Sequence, residues 1–250
     1  MARILIIGGT EEARQLFAQL QAVYGVAAVT MSLAGVTQSA AAAITKCGQI
    51  IGPFGGADGL TAYLRAHGIE AMIDAAHPYA STMHAHVAAA AAQTQTPWLS
   101  LVRPVWPKQP GDRWHWMGDL AELIDQAAAL AGRILLTHGR HVPPNIGEFE
   151  RQFFLRSIEP VADLPANVTW LPAVLPLTLK AELDLLQSHE IGALTAKVSG
   201  GASTYAKIEA ARRLGLPVVL LARPKRQSSE CVATVADAVA WAAALFGRST

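Results

Sequence analysis

Ile4-Leu5-Ile6-Ile7-Gly8-Gly9-Thr10-Glu11-Glu12-Ala13-Arg14 is the stretch that decides how this chain is read. Four aliphatic residues run unbroken into two glycines, the pattern of a strand buried on both faces. Thr10 stands where a helix needs its N-cap. Glu11 and Glu12 follow in the first turn, where carboxylates suit the positive end of the helix dipole. Leu16, Phe17 and Leu20 then repeat at helical spacing. The unit is strand, glycine turn, helix, and backbone amides at such a turn can meet a phosphate. Gly-Gly-Thr is only part of the dinucleotide fingerprint, with Ala13 near the third glycine position, and no Gly-Lys-Ser/Thr follows. A tight βα turn that binds nothing would use the same residues.

The same alternation continues outward from this unit. Strands are expected at Val26–Leu33, Thr45–Ile51, Ala71–Asp74 and Trp98–Val102. Helices are expected between them, one capped by Asp58 and one starting at Ser81. The second strand ends at Ser32-Leu33-Ala34-Gly35 without an acidic residue, where an NAD site would place one. Ser32, Thr37 and the Gly35 turn suit a 2′-phosphate, hence NADP; an ordinary turn is the competing reading. Trp106–Trp116, rich in Pro, Trp and Gly, reads as a connector. A second alternation follows, with strands at Arg133–Thr137, Phe153–Ile158, Val168–Val174, Ala193–Lys197 and Pro217–Ala222. Thr178 caps Leu179–Ser188, and helices are expected at Thr204–Leu214 and Ala236–Phe246. The reading is α/β: two Rossmann-like three-layer domains with mostly parallel sheets, residues 1–103 and 104–250, with a cleft between them.

Composition narrows the function. The 250 residues are 52% apolar, as strands covered on both faces require, yet no apolar run approaches the roughly 18–20 residues of a membrane helix. No signal-peptide core is visible, so a cytoplasmic protein is expected. Twenty basic and 19 acidic residues leave a net charge of +1, which argues against a general nucleic-acid surface. Cys47 and Cys231 sit in apolar surroundings and read as buried, reduced thiols. A monomer or small homo-oligomer is expected.

Polar groups gather at the expected carboxyl ends of strands: Thr10, Ser32, Asp74 with His77, Arg103, Arg140, Lys197 with Ser199, and Arg223. Ligands of open α/β sheets bind at such ends, and the cations there suit an anionic cofactor and an anionic substrate. Polar loops alone would account for any one of them. No metal is expected: His84 and His86 are two apart on a helix and diverge, and His138 and His141 lack Cys or acidic partners at ligand spacing. There is no Gly-x-Ser-x-Gly elbow, and Tyr205-Ala206-Lys207 is not the Tyr-x-x-x-Lys of short-chain dehydrogenases.

Taken in order, several stretches resemble the precorrin-6A reductase family of cobalamin biosynthesis. They are Ile6–Arg14, Ser32–Gly35, Gly52-Pro53-Phe54-Gly55-Gly56, Ile73-Asp74-Ala75-Ala76-His77-Pro78-Tyr79 and Arg103-Pro104-Val105-Trp106. The second half adds Lys197-Val198-Ser199-Gly200-Gly201, Thr204-Tyr205-Ala206-Lys207-Ile208, Leu214–Val219 and Arg223-Pro224. The resemblance implies NADPH as hydride donor and reduction of one carbon–carbon double bond of the tetrapyrrole precorrin-6A. It implies that Gly8, Gly9, Thr10 and Glu12 lie at the cofactor's pyrophosphate and Ser32 with Gly35 at its 2′-phosphate. Asp74, Ala75 and His77 would lie near the nicotinamide ribose, with Ser199 and Gly200 also on the cofactor. Arg103, Arg140, Lys197, Gly201 and Lys207 would meet the substrate, whose acetate and propionate arms the cations would bind. His77, Tyr79 and Tyr205 are candidate proton donors, beside water or a substrate carboxyl. The chain departs from the family pattern at Ile50, Ala76, Tyr79, Val174–Leu177 and Val198. Two other readings stay open: an NADP-dependent oxidoreductase of another anionic metabolite, and a non-catalytic tetrapyrrole- or nucleotide-binding protein.

Overall fold

The computed structural model describes residues 2–33, 54–173, 177–226 and 230–247, and the backbone of 49–51. Gly35, Thr37, Cys47, Gly52, Pro53, Val174–Pro176 and the Ile50 side chain lie outside the described residues. The chain forms two units, Met1–Pro104 with Pro224–Thr250, and Val105–Arg223.

The first unit holds β1 (Ile4–Ile7), α1 (Glu11–Tyr24), β2 (Val29–Leu33), β3 (Gln49–Ile51), α2 (Gly56–His67), β4 (Ala71–Asp74), α3 (Ser81–Thr94) and β5 (Trp98–Leu101). Its sheet is parallel throughout, in the order β12-β5-β4-β1-β2-β3, where β12 is Cys231–Val232. The unbroken Ile-Leu-Ile-Ile run is explained by its position. Ile4 and Ile6 pack in one core with Leu16, Phe17 and Leu20 of α1, while Leu5 and Ile7 pack in another with Leu60 and Leu64 of α2 and Val87 of α3. Both faces of the strand are covered, so both parities must be apolar.

The second unit holds β6 (Arg113–Met117), α4 (Leu120–Leu130), β7 (Arg133–Thr137), β8 (Gln152–Ser157), β9 (Val168–Pro172), α5 (Leu179–Ser188), β10 (Ala193–Lys197), α6 (Ala206–Arg213) and β11 (Pro217–Leu221). Its parallel sheet runs β6-β11-β10-β7-β8-β9. Leu135, Leu194 and Leu220 face α5 and α6 through Leu186 and Ile208, and Ile134, Leu136 and Val219 face α4 through Leu123 and Ile124. Each unit is thus a doubly wound α/β layer, as the alternation led us to expect.

The expected second domain, 104–250, differs from the observed division. After β11 the chain returns to the first unit: β12 pairs with β5, and α7 (Val235–Phe246) adds Ala238 and Ala242 to the α1 core. Tyr24 and Phe246 meet edge-on at 5.8 Å. Both passages between units fall at an Arg-Pro dipeptide, Arg103-Pro104 and Arg223-Pro224. Other expectations are corrected. The connector at Trp106–Trp116 contains edge strand β6, whose partly exposed pattern lacks the apolar run that marks the central strands. Residues 26–28 form a 3-10 turn before β2, and 202–204 another before α6. Gly55, in the left-handed region at φ 83°, precedes α2, and Asp58 lies inside its first turn. Cys231 is exposed, because it lies on an edge strand.

Candidate functional site

In the first sheet the strand order reverses between β1 and β4, so their carboxyl ends form the place where open sheets bind ligands. The turn after β1 is there. Gly8 donates its N–H to the Ser32 carbonyl at 2.7 Å, and Ala75 donates to the Ile7 carbonyl at 2.9 Å. A Cβ on Gly8 would stand 3.0 Å from Met31 and Leu33, so glycine lets the turn press onto β2. Gly9 is exposed, at φ 122°, with nothing within 4 Å of where a Cβ would be. A phosphate can approach that backbone closely.

Thr10 fixes the start of α1. Its hydroxyl accepts from Ala13 N at 3.1 Å and donates to the Ala75 carbonyl at 2.8 Å, joining the turn after β1 to the end of β4. Glu12 accepts from Arg103 Nη1 at 2.6 Å. Thr10, Glu12, Ala76, Pro78, Leu101 and Arg103 line a shallow recess of about 10 Å³ at this helix end. Ser32 is fully buried and its hydroxyl has no hydrogen-bond partner among the described residues.

Asp74 is also fully buried. Its Oδ1 accepts from Ala76 N at 3.2 Å and its Oδ2 from His84 Nδ1 at 2.6 Å. His84 Nε2 lies 3.2 Å from the His77 carbonyl, and Arg226 Nη2 stands within 2.9 Å of both His84 ring nitrogens. Asp74, His84 and Arg226 thus form an internal brace under the His77-Pro78-Tyr79 turn. Within that turn His77 Nδ1 accepts from Tyr79 N at 3.3 Å, and the two rings lie 5.7 Å apart.

The second sheet reverses its order between β7 and β10. Lys197 and Ser199 follow β10 there, and His138 follows β7. Lys197 is partly buried, and desolvation holds its ammonium below the ordinary lysine range. Lys207 is fully buried; its Nζ donates to Thr137 Oγ1 at 2.9 Å, and burial pushes it down to about 7. Ser199 and Thr204 share a hydrogen bond at 3.1 Å, Gly200 is at φ 75°, and the Gly201 carbonyl accepts from Trp106 Nε1 at 3.2 Å. Tyr205 Oη accepts from Arg212 at 3.0 Å. Arg140 is exposed and paired with Glu159 at 2.5 Å, and Arg223 Nε donates to the Val198 carbonyl at 2.7 Å. Among the described residues, no cluster of three or more His, Cys, Asp or Glu side chains is placed to hold a metal ion, and no helix is long and apolar enough to cross a membrane.

Residues 3–243 match the family described as precorrin-6x reductase CbiJ/CobK. The chain belongs to the precorrin-6x reductase family. It is 41% identical to the precorrin-6A reductase of Rhodococcus erythropolis, over 99% of this chain and 100% of that one. It is 36% identical to the enzyme of the same name from Rhodobacter capsulatus, over 97% and 96%. A solved structure titled CobK precorrin-6A reductase superposes with TM-score 0.88 at 35% identity, covering 100% of this chain and 98% of that one.

For a member of this family, the sequence reading missed the interior of the site. His84 was weighed only as a metal ligand and is instead the partner of Asp74. Arg226 carries no local signal, because its contact is with a residue 152 positions earlier. The buried pair Arg156–Glu182, at 2.6 Å, was likewise invisible. Of the family departures, Ala76 lines the recess beside Thr10, and Val198 is buried in the apolar core of the second sheet.

Proposed function

We propose that this chain catalyses NADPH-dependent reduction of one carbon–carbon double bond of precorrin-6A, giving precorrin-6B in cobalamin biosynthesis, in the cytoplasm. The observation that carries the reading is full-length membership of the reductase family in a chain whose first βα turn is open to a diphosphate. The fit of the cofactor rests on Gly9, where no side chain guards the backbone, and on the capped N-terminus of α1 behind it. When bound, NADPH supplies a hydride; a proton completes the reduction at the neighbouring carbon.

The residues divide the work. Gly9 and Thr10 present backbone N–H groups to the diphosphate, Gly8, its own N–H held by the Ser32 carbonyl, lets the turn lie close on β2, and Glu12 is held aside by Arg103. Ser32, buried with an unpartnered hydroxyl, stands at the end of β2 beside the adenosine 2′-phosphate position. Ala75 and His77 lie along the nicotinamide ribose. Asp74 acts from inside, fixing His77 through His84. Lys197 and Arg140 supply cations for the acetate and propionate arms of the substrate. Lys207, inside the second unit, supports Thr137. His77, Tyr79 and Tyr205 remain the side-chain candidates for the proton. Mixing protein, NADPH and precorrin-6A and following the nicotinamide absorbance band tests the proposal. Oxidation that depends on the macrocycle is expected; tight macrocycle binding without oxidation would make this a carrier instead.

A further inference from the structure

His138 is the most anomalous buried group in the chain. It is 1% exposed, yet neither ring nitrogen has a hydrogen-bond partner among the described residues. Buried polar groups are nearly always partnered, and an orphan carries a stability penalty. It follows β7 at the point where the second sheet reverses its order, the place such sheets reserve for ligands. Its charged surroundings are cationic: Lys197, His141 and Lys207 all act on it, with Arg156 and Glu182 acting on Lys207 in turn. Desolvation and those charges hold the imidazole neutral, down to about 3. A neutral imidazole keeps one N–H donor at any physiological pH. The next residue, Gly139, is at φ 102°, and the Lys197 ammonium lies 3.9 Å from where its Cβ would be. A side chain at 139 would meet that ammonium at ordinary contact distance, and it is the positive φ that keeps the position to glycine.

We propose that His138 is a further substrate-recognition residue, whose buried imidazole hydrogen-bonds a carboxylate arm drawn in by Lys197. The inference rests on the proposed reductase reading for its ligand. The occupant is anionic because the Lys197 ammonium stands nearby, and it is a hydrogen-bond acceptor because the neutral ring has a donor unused.

His138→Leu and His138→Gln test this on the full chain. Precorrin-6A affinity is measured directly by tryptophan fluorescence, and KM for macrocycle and for NADPH by turnover. The expected result is a roughly tenfold weaker macrocycle in His138→Leu, the effect of losing one hydrogen bond to a charged group. KM for NADPH should be unchanged, His138→Gln should recover part of the loss, and the thermal midpoint should not fall in His138→Leu. Unchanged macrocycle affinity in a folded variant overturns the inference. So does a fall in the midpoint of both variants without a change in affinity, which would mark an internal water or packing role. Wild-type protein that binds the macrocycle without oxidising NADPH defeats the reductase reading alone, because the binding comparison stands without turnover.

Discussion

Replacing Lys207 with Met should stabilise the protein near neutral pH and remove a pH dependence. Lys207 is fully buried, and its ammonium falls from the ordinary 10.5 to about 7, first by desolvation and then by Arg156, with Glu182 opposing. Below about pH 7 the folded chain holds a desolvated charge that the unfolded chain keeps in water. Between about 7 and 10.5 the unfolded state binds the extra proton, so stability climbs with pH through that window and levels off above it. At 1.36 kcal/mol per pH unit, the interval amounts to about 4 kcal/mol near pH 7. Met occupies the same buried space without the charge and forfeits the bond to Thr137, about 1 kcal/mol. Thr137 keeps its own hydrogen bond to the Thr195 carbonyl at 2.7 Å. The net expectation is about 2–3 kcal/mol of stabilisation at pH 7. Urea unfolding between pH 7 and 10, followed by tryptophan fluorescence, measures it. The second unit carries Trp106, Trp114, Trp116 and Trp170 to report its own transition. An equal pH slope in wild type and variant, or a Lys207→Met protein less stable throughout, would refute the reasoning.

Two further outcomes follow from the same geometry. Glu182→Gln leaves Arg156, 6% exposed, without its carboxylate, and should cost about 3–5 kcal/mol in urea unfolding. Gly9→Val places a β-branched side chain at φ 122° on the backbone that faces the diphosphate, so NADPH binding measured by nucleotide fluorescence should be lost while the macrocycle still binds.

The central strands were legible because burial on both faces leaves a local trace. Ile4–Ile7, Ala71–Asp74 and Arg133–Thr137 each read as short apolar runs stopped by turn residues. Helix starts were legible for a similar reason. Thr10 and Thr178 cap through their own hydroxyls, at 3.1 and 3.3 Å from the amides of Ala13 and Ala181. Edge elements left weaker traces. β6 is half exposed and so lacks a continuous apolar run, and β12 is two residues long, too short for any period. The site divides the same way. The Gly8-Gly9-Thr10 turn announces itself in eleven consecutive residues, whereas the Asp74–His84–Arg226 brace does not.

What the sequence determined by itself was therefore local: which segments are strands and helices, where they start, and that two parallel α/β layers follow one another. Only the tertiary structure decided that 224–250 returns to the first unit, that Asp74 and Lys207 turn inward, and that His138 is buried with no hydrogen-bond partner among the described residues. The physical reason is that periodicity and capping act within a few residues of chain. Burial and pairing depend on neighbours brought together by the fold, 70 residues apart for Lys207 and Thr137 and 152 for Arg226 and Asp74, and a single sequence carries no local mark of them.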